Sequence, residues 1–403
     1  MHWALRSSYD VKADDERQAG AEARLLGTYE AFLPTVGYAI NRRIDSKLTY
    51  SPEFITDPTI PGGGDFLQRR QPNEDGFLLT MPLFDGFKRW NELQAARSSA
   101  EAGRGLRDAK AQQILFDTAS AYLAVLRDRA IIHLREAAIA DVTKVAKSVA
   151  MKREVFDATN AELALADSRV IDANTQLEQA RAALIASEAE LIRLAGIDAN
   201  PTALPRVPNA LLPGTLDELQ AILLRANPTL LAARLDAESS DYLAKASYAQ
   251  FLPQVNLTFA HGRRGPVSLT PYRVRETSTM VQAIIPIYQP GEFGNVALAH
   301  ANARQKHYES LDLERTLVAK ATVAFKQRRS FLTQVAQAEQ RVRRISRAVE
   351  ARNMELRIGS MTIVDVLNTV NELAEARIAK INLEFARDQA TYSLAAVMNR
   401  LRA

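Results

Sequence analysis

The residues that could carry catalytic or metal-binding chemistry are few and scattered along this chain. It contains no cysteine, which excludes thiol catalysis, thiolate metal sites and disulfides. Of the five histidines, His300 and His307 share a predicted helix face but have no third ligand near them in the sequence. The stretch PGGGD at 61–65 lacks the lysine and the following helix of a phosphate-binding loop. No nucleophile elbow or metal box is present, so we expect no enzyme activity, no cofactor and no bound metal.

Composition and charge narrow the class of protein further. Hydrophobic residues make up 47% of the 403 residues and charged residues 24%, which argues against disorder. The abundance of Ala, Leu, Glu, Arg and Gln with little Gly favours long helices. The net charge of +4 is spread along the chain without a basic block, so a nucleic-acid partner is not expected.

No stretch of the chain predicts a membrane-spanning helix, because no window approaches 18 consecutive apolar residues. The first residues, MHWALRSSYD, lack the basic and apolar regions of a secretory signal peptide. Two expectations remain open on this point: a cytosolic protein, or a chain numbered from after a removed leader.

Two stretches of the chain repeat one pattern. YEAFLPTVGYAI at 29–40 and YAQFLPQVNLTF at 248–259 each pass from a helical pattern through Phe-Leu-Pro into alternating residues. The element order helix, strand, strand, long helix, helix then follows in both halves. We interpret this as an internal duplication, with a first repeat at 1–195, a Pro-rich linker at 196–215 and a second repeat at 216–403.

Periodicity and breaker residues predict the individual elements. Long helices without proline at 86–155 and 292–358 would each be roughly 100 Å long at about 1.5 Å per residue. Further helices are predicted at 3–31, 161–195, 216–226, 229–250 and 363–401, strands at 34–45, 76–84, 253–263 and 277–288, and a loop at 45–75.

The helix predicted at 161–195 carries a heptad pattern. Leu163, Val170, Leu177, Leu184 and Leu191 recur every seven residues, with mostly small residues three positions after each. This spacing is typical of a coiled-coil seam in which helices approach closely.

The four predicted strands have the length that crosses a bilayer at a tilt. Four strands cannot close a barrel, and open edges are not tolerated in lipid, so several copies would have to combine. The alternative is a soluble or peripheral coiled-coil scaffold that carries two short hairpins and binds partners through its helices.

Five motifs, in order, resemble the TolC-like outer-membrane efflux proteins of Gram-negative bacteria. They are the two Phe-Leu-Pro corners, MPLFDGFKRWNELQAA, IPIYQPGEFGNVALAHA, IGSMTIVDVLNTVNELAEAR at 358–377 and the Pro-rich linker. The resemblance implies a mainly α fold with a β-barrel portion, in which a homotrimer forms a twelve-stranded barrel in outer-membrane lipid and a helical tunnel in the periplasm. It also implies a passive exit duct whose tip docks on a periplasmic adaptor (membrane fusion) protein fed by an inner-membrane ABC or RND pump.

The same resemblance implies where the functional residues lie. Asp365 would form a ring of negative charge at the narrowest point of the duct, whereas Asn368 stands where some members have a second aspartate. The dipole at a helix N-terminus is another explanation for Asp365. Met361 replaces an arginine that locks some members shut, although Glu162 stands where its acidic partner would be. The implied tip residues are Phe156, Asp157, Gly359, Ser360 and Met361.

The strand–helix corners are marked by prolines and by short motifs. The corner prolines are Pro34, Pro82, Pro253 and Pro286. The corners FDG at 84–86 and YQPG at 288–291 look most like members that serve type I protein secretion, with drug efflux as the alternative.

Overall fold

The computed structural model describes residues 2–41, 47–50, 66–69, 74–155, 158–196, 212–264, 274–357, 360 and 362–401. The helices are α1 (His2–Ser7), α2 (Tyr9–Glu30), α3 (Lys88–Glu154), α4 (Asn160–Ala195), α5 (Leu216–Ala226), α6 (Pro228–Ser247), α7 (Glu292–Arg357) and α8 (Ile363–Val397). The strands are β1 (Thr35–Asn41), β2 (Lys47–Tyr50), β3 (Phe66–Arg69), β4 (Glu74–Phe84), β5 (Gln254–Arg264) and β6 (Val274–Ile284). A short 3-10 turn, Tyr248–Phe251, precedes β5.

The chain forms two compact units, and each unit draws on both halves of the sequence. One unit contains Met1–Gln18, Ala102–Arg234 and Glu309–Ala403, and the other contains Ala19–Glu101 and Leu235–Tyr308. The division into two sequence repeats cuts across these units and stays a prediction. Most of the predicted linker at 196–215 lies outside the described residues.

The unit of Ala19–Glu101 and Leu235–Tyr308 is built on an antiparallel sheet with the strand order β1-β4-β5-β6. The pairing between β4 and β5 joins the two hairpins, with Phe77 opposite His261 and Leu79 opposite Phe259. The register shifts between Pro82 and Phe84, where a bulge places Leu83 without a direct partner on β5. β2 and β3 form a separate two-stranded pair.

The other unit is helical and has several apolar clusters. One cluster joins the end of α3 to the starts of α4 and α8 through Val149, Ala166 and Val366, which are fully buried. Another packs Leu219 and Leu223 of α5 against Leu394 of α8. The heptad leucines Leu177 and Leu191 are buried, and Leu163, Val170 and Leu184 pack partly buried against the clusters. The predicted seam therefore matches the packed side of α4.

Three predicted boundaries are wrong. The stretch 45–75, predicted as loop, contains β2 and β3 and the first two residues of β4. The predicted strand 277–288 starts earlier, at Val274, and ends at Ile284, because Ile284 pairs with the first residue of β5, Gln254, and no further β5 residue remains opposite. The predicted helix 3–31 is interrupted at Ser8. The other elements match within a few residues, which confirms the mainly helical class with a four-stranded portion.

Candidate functional site

The two faces of the four-stranded sheet differ in chemistry. Because side chains alternate along a strand, the pairing register assigns each residue to a face. The apolar face, as we call it, carries Val36, Tyr38, Ile40, Phe77, Leu79, Met81, Leu257, Phe259 and Val281, together with Thr279 and, toward the hairpin end, Asp75, His261, Arg263, Arg275 and Thr277. The Tyr38 and Phe77 rings meet edge to face at 4.9 Å, as the register requires.

The opposite face, the polar face, carries small and polar residues. Its members include Gly37, Ala39, Gly76, Thr80, Asn256, Thr258, Ala260, Gly262, Ser278 and Gln282, with Leu78, Met280 and Ile284 as apolar interruptions. On the apolar face, Val36, Ile40 and Val281 are 66%, 61% and 62% exposed. An exposed apolar surface of this kind, spread over β1, β4 and β5 with Val281 of β6, indicates contact with lipid or with another protein.

Both outer strands of the sheet leave one edge without a partner among the described residues. β1 pairs only with β4, and β6 pairs only with β5. Backbone N–H and C=O groups on such edges are a template for a further strand. Three successive antiparallel pairings make β6 antiparallel to β1. The β6 edge of one copy can therefore add to the β1 edge of another copy in the same antiparallel pattern.

The corner after β4 is held by a pair of charged residues. The Asp85 carboxylate accepts hydrogen bonds from the backbone N–H of Arg89 at 3.0 Å and from its Nε at 2.7 Å. The Arg89 guanidinium also donates to the carbonyl of Pro82 at 2.9 Å and to that of Ala31 at 3.2 Å. Arg89 thus ties the start of α3 to the end of β4 and to the residue that follows α2.

The four corner prolines take different positions. Pro34 and Pro253 directly precede β1 and β5, whereas Pro82 lies inside β4 beside the bulge and Pro286 lies two residues after β6. The chain leaves β4 through Gly86 and Phe87, both with positive φ, at 69° and 64°. A Cβ on Gly86 would lie 2.9 Å from the Ala249 carbonyl oxygen, so this turn requires glycine.

In the helical unit, α4 and α8 begin with closely similar caps. Thr159 caps α4 and exchanges hydrogen bonds with Glu162 in a capping box. Thr362 caps α8, accepting from the backbone N–H of Asp365 and donating to its carboxylate at 2.5 Å. Hydrogen bonds from the backbone and the hydroxyl of Thr159 hold the pKa of Glu162 below its ordinary value. Both predicted aperture acids are therefore first-turn capping residues.

The predicted tip residues are only partly described. Ser360 donates from its backbone N–H to the Glu355 carbonyl at 3.1 Å. Phe156, Asp157, Gly359 and Met361 lie outside the described residues.

Asp365 and Asn368 lie on α8 beside basic residues of neighbouring helices. Arg169 of α4 reaches Asn368 Oδ1 at 3.5 Å. Arg352 of α7 donates to the carbonyl oxygen of Asp365 at 3.2 Å and contacts the Thr369 hydroxyl. The structure brings Asp365 and Asn368 together on one helix and binds Glu162 to its own cap.

Several residues that make contacts at the candidate site were not predicted from the sequence. Thr159 and Thr362 carried a readable signal, because Thr-x-x-Glu and Thr-x-x-Asp before an apolar run mark helix starts. Arg169 and Arg352 carried none, because their contacts depend on how helices pack. The spacing of Asp85 and Arg89, four residues apart, makes their ion pair predictable. The carbonyl partners of Arg89 are not predictable, because they come from other elements.

The histidines whose side chains are described occupy separate settings. His133 Nδ1 lies 3.6 Å from Glu136, and His261 Nδ1 lies 2.7 Å from the Thr277 hydroxyl. His300 stands beside the Tyr248 ring. Within the described ranges, no group of three His, Cys, Asp or Glu side chains could hold a metal ion. No helix in that part of the chain is both long and apolar enough to cross a membrane.

Known proteins resemble this chain over nearly its whole length. Residues 3–197 and 219–400 match the model of the family described as outer membrane efflux protein. The chain is 26% identical over 390 residues to the outer membrane efflux protein BepC of Brucella suis, covering 94% of this chain and 85% of that protein. It is 25% identical over 399 residues to the alkaline protease secretion protein AprF of Pseudomonas aeruginosa, covering 93% and 80%.

The fold is shared with solved structures. The Campylobacter jejuni CmeC outer membrane channel superposes with a TM-score of 0.83 at 17% identity, covering 99% of this chain and 84% of that one. At this identity the likeness concerns the fold alone.

Proposed function

The chain belongs to the outer membrane efflux protein family, and from this membership we propose that three copies assemble into one passive duct. The protein is an outer-membrane exit channel that extends into the periplasm. The proposal concerns how the channel is completed, where its charge lies and which partners it uses. The observation that carries the proposal is the two-faced sheet with both edges open.

A ring of copies pairs the two strand edges that a single sheet leaves without a partner among the described residues. Three sheets joined β6 to β1 give twelve strands, above the roughly eight that the smallest barrels need. β4, β5 and β6 have 11 residues each, close to the length of a membrane-crossing strand. The apolar face then contacts lipid and the polar face lines the lumen. Because the ring is closed, no unpaired backbone edge remains in the hydrocarbon region.

Aromatic residues near both ends of the strands support this orientation. Transmembrane barrels place aromatic girdles at both membrane interfaces. Tyr38 and Phe77 lie toward the hairpin end of the sheet, Phe259 lies in the middle of β5, and the exposed Phe87, Trp90, Tyr288 and Phe293 lie toward the helices.

The helical unit has a second apolar stripe that fits a neighbouring copy. Ile171, Ile185 and Ile192 of α4 are 66%, 68% and 44% exposed, and their spacing is a multiple of seven. They are offset from the packed seam of the same helix. A heptad stripe left exposed on a long helix supports coiled-coil packing against another helix, which we assign to the next copy in the ring.

We assign the aperture charge to Asp365. Its carboxylate is oriented by Thr362 in the first turn of α8, and three copies would place three such groups around one axis. A ring of carboxylates favours cations. One helical turn on, Asn368 is neutral and near Arg169, so the ring is single.

Partners supply the energy and the cargo. The sequence contains no phosphate-binding loop, which fits a channel driven by an inner-membrane ABC or RND pump through a periplasmic adaptor. The segments of chain around Ser360 and between α3 and α4 are the proposed docking surface for the adaptor.

The FDG and YQPG corners favour a secreted protein as cargo, as does the likeness to a protease secretion protein. Small molecules are the second candidate, as the likeness to an efflux protein suggests.

The test is the native mass and the conductance of the protein expressed behind a secretion signal. We expect it to be extracted from outer membranes only with detergent, to run as a trimer by light scattering and to conduct ions across a planar bilayer. A monomer or dimer that stays in solution without detergent would refute the duct and leave the coiled-coil scaffold as the function.

A further inference from the structure

A pair of arginines lies on the apolar face of the sheet, at its hairpin end. Arg263 of β5 and Arg275 of β6 are direct partners in the antiparallel register, and both side chains are exposed. They lie on the same face as Phe77 and Phe259. Phe77 is two positions further from the hairpin than the arginine row, and Phe259 is four positions further. Two guanidinium groups therefore stand side by side at the hairpin end of a face whose rows nearer the helices are largely apolar.

This arrangement is unfavourable unless an anion lies nearby. Like charges directly opposite each other on neighbouring strands destabilise a sheet. Within the described residues, neither guanidinium has a carboxylate at ion-pair distance. Asp75 stands opposite Arg263 on β4, but its carboxylate accepts a hydrogen bond from the Tyr38 hydroxyl at 2.8 Å. Even counting Asp75, the row keeps a net positive charge.

The next row toward the helices contains Tyr38, Phe77, His261 and Thr277. His261 Nδ1 and the Thr277 hydroxyl lie 2.7 Å apart. The Tyr38 and Phe77 rings stand beside them, with Phe259 and Leu79 beyond. Read from the hairpin end, the surface is cationic, then aromatic, then aliphatic, which complements a phosphate head group, a sugar and acyl chains in that order.

We propose that Arg263 and Arg275 bind phosphate groups of the anionic glycolipid in the outer leaflet of the outer membrane. This inference rests on the proposed function, which turns the apolar face toward lipid and the hairpins outward. Guanidinium groups bind phosphate oxygens through two parallel hydrogen bonds. Residues directly opposite in a sheet have Cβ atoms only about 5 Å apart. One phosphate therefore contacts both arginines and removes their repulsion.

The experiment compares the trimer in detergent with the R263Q/R275Q variant. The probes are lipid A carrying two phosphates, lipid A carrying one phosphate and inorganic phosphate. The R344Q/R347Q variant is the matched control, because it removes the same charge from exposed positions on α7. Native mass spectrometry counts bound lipid, and thermal denaturation of the trimer measures its stabilisation.

We expect lipid A with two phosphates to bind the wild-type trimer and the control equally, and R263Q/R275Q about tenfold more weakly. Lipid A with one phosphate should bind with intermediate strength, and inorganic phosphate should stabilise none of them. Equal binding by R263Q/R275Q, or equal stabilisation by inorganic phosphate, would overturn the proposal. If R263Q/R275Q does not assemble, the comparison of the lipids on wild-type trimer decides: no preference for phosphate refutes the site.

The outcomes separate this inference from the proposed function. A protein that forms no membrane-extracted trimer contradicts the duct itself. A conducting trimer that ignores the lipid phosphates contradicts the arginine site alone.

Discussion

Arg89 and Asp85 form a 2.7 Å salt bridge across one turn at the start of α3, and the Arg89 guanidinium continues to two backbone carbonyls. One side chain thereby joins a strand end, a helix start and the end of another helix. Both side chains are largely buried, at 13% and 21% exposure. The corner after β6 contains Gln289, Pro290 and Gly291 and has no such ion pair among these residues. There the chain turns through Gly291, whose φ is positive at 91°.

We expect Arg89→Met to lower the stability of the assembled protein by about 2 kcal/mol, because two carbonyls lose a charged donor and Asp85 loses its partner. The measurement is the midpoint of thermal dissociation of the oligomer. Lys88→Met is the control, because Lys88 is exposed and its Nζ lies 3.9 Å from the Glu92 carboxylate, too far for a hydrogen bond. Equal midpoints for the two variants would show that the corner does not depend on Arg89.

The glycine pair on the polar face should be sensitive to a single methyl group. A Cβ on Gly76 would lie 2.6 Å from the Cα of Gly262, and one on Gly262 would lie 2.7 Å from the Asp75 carbonyl oxygen. Gly262→Ala should therefore cost about 1–3 kcal/mol by forcing β4 and β5 apart. Gly37→Ala is the control, because nothing lies within 4 Å of its Cβ position. The yield of heat-resistant oligomer measures the difference, and equal yields would contradict it.

Removing the charge at the aperture should change ion selectivity without closing the duct. Asp365→Asn keeps a side chain that can bond Thr362 but removes the proposed ring of charge, so the preference for cations should fall. Reversal potentials across a planar bilayer under a salt gradient measure this preference. Asp217→Asn, an exposed acid on α5, should leave it unchanged. An unchanged reversal potential in Asp365→Asn would leave the residue a helix cap only.

The cap of α4 should weaken in acid. The pKa of Glu162 lies below its ordinary value of 4.5, so the capping box stabilises the helix start above that value. This stabilisation is lost as the pH falls through the lowered pKa. Thr159→Ala should cost about 1 kcal/mol and speed local amide exchange near residues 163–166 about fivefold at pH 7.

The difference in exchange rate between Thr159→Ala and the wild type should shrink as the pH falls through the lowered pKa of Glu162, because the Thr159 bonds to the carboxylate weaken while the Thr159 hydroxyl still accepts from the Glu162 backbone N–H. Thr175→Ala is the control, because Thr175 bonds the Ile171 carbonyl within the same helix and caps nothing. A difference that does not shrink on acidification would mean that the Glu162 charge does not support the cap.

Elements with a strong period were predictable from the sequence, whereas contacts between elements were not. The heptad leucines and the proline-free runs predicted the helices, because one face of each must be buried. The pair β2 and β3 was missed, because prolines and glycines around 51–65 indicated loop throughout. The end of β6 was misplaced because strand length depends on the partner: alternation continues past Ile284, but pairing to β5 does not.

Single residues of the candidate site were predictable from the sequence, but their contacts across the fold were not. Asp365 and Glu162 were singled out by resemblance, and the structure adds that each is bound by the threonine three residues before it. The contact of Asn368 with Arg169 joins positions far apart in the chain, and no local pattern encodes it.

The open edges of β1 and β6 have a genetic consequence. If other copies complete the sheet, as we propose, every duct is a shared product of several translated chains. In a ring of three, a cell in which half of the chains are defective would build only about one duct in eight entirely from intact chains. A mutant allele that still offers its strand edges should thus be dominant, whereas one that deletes β1 and β6 should be recessive.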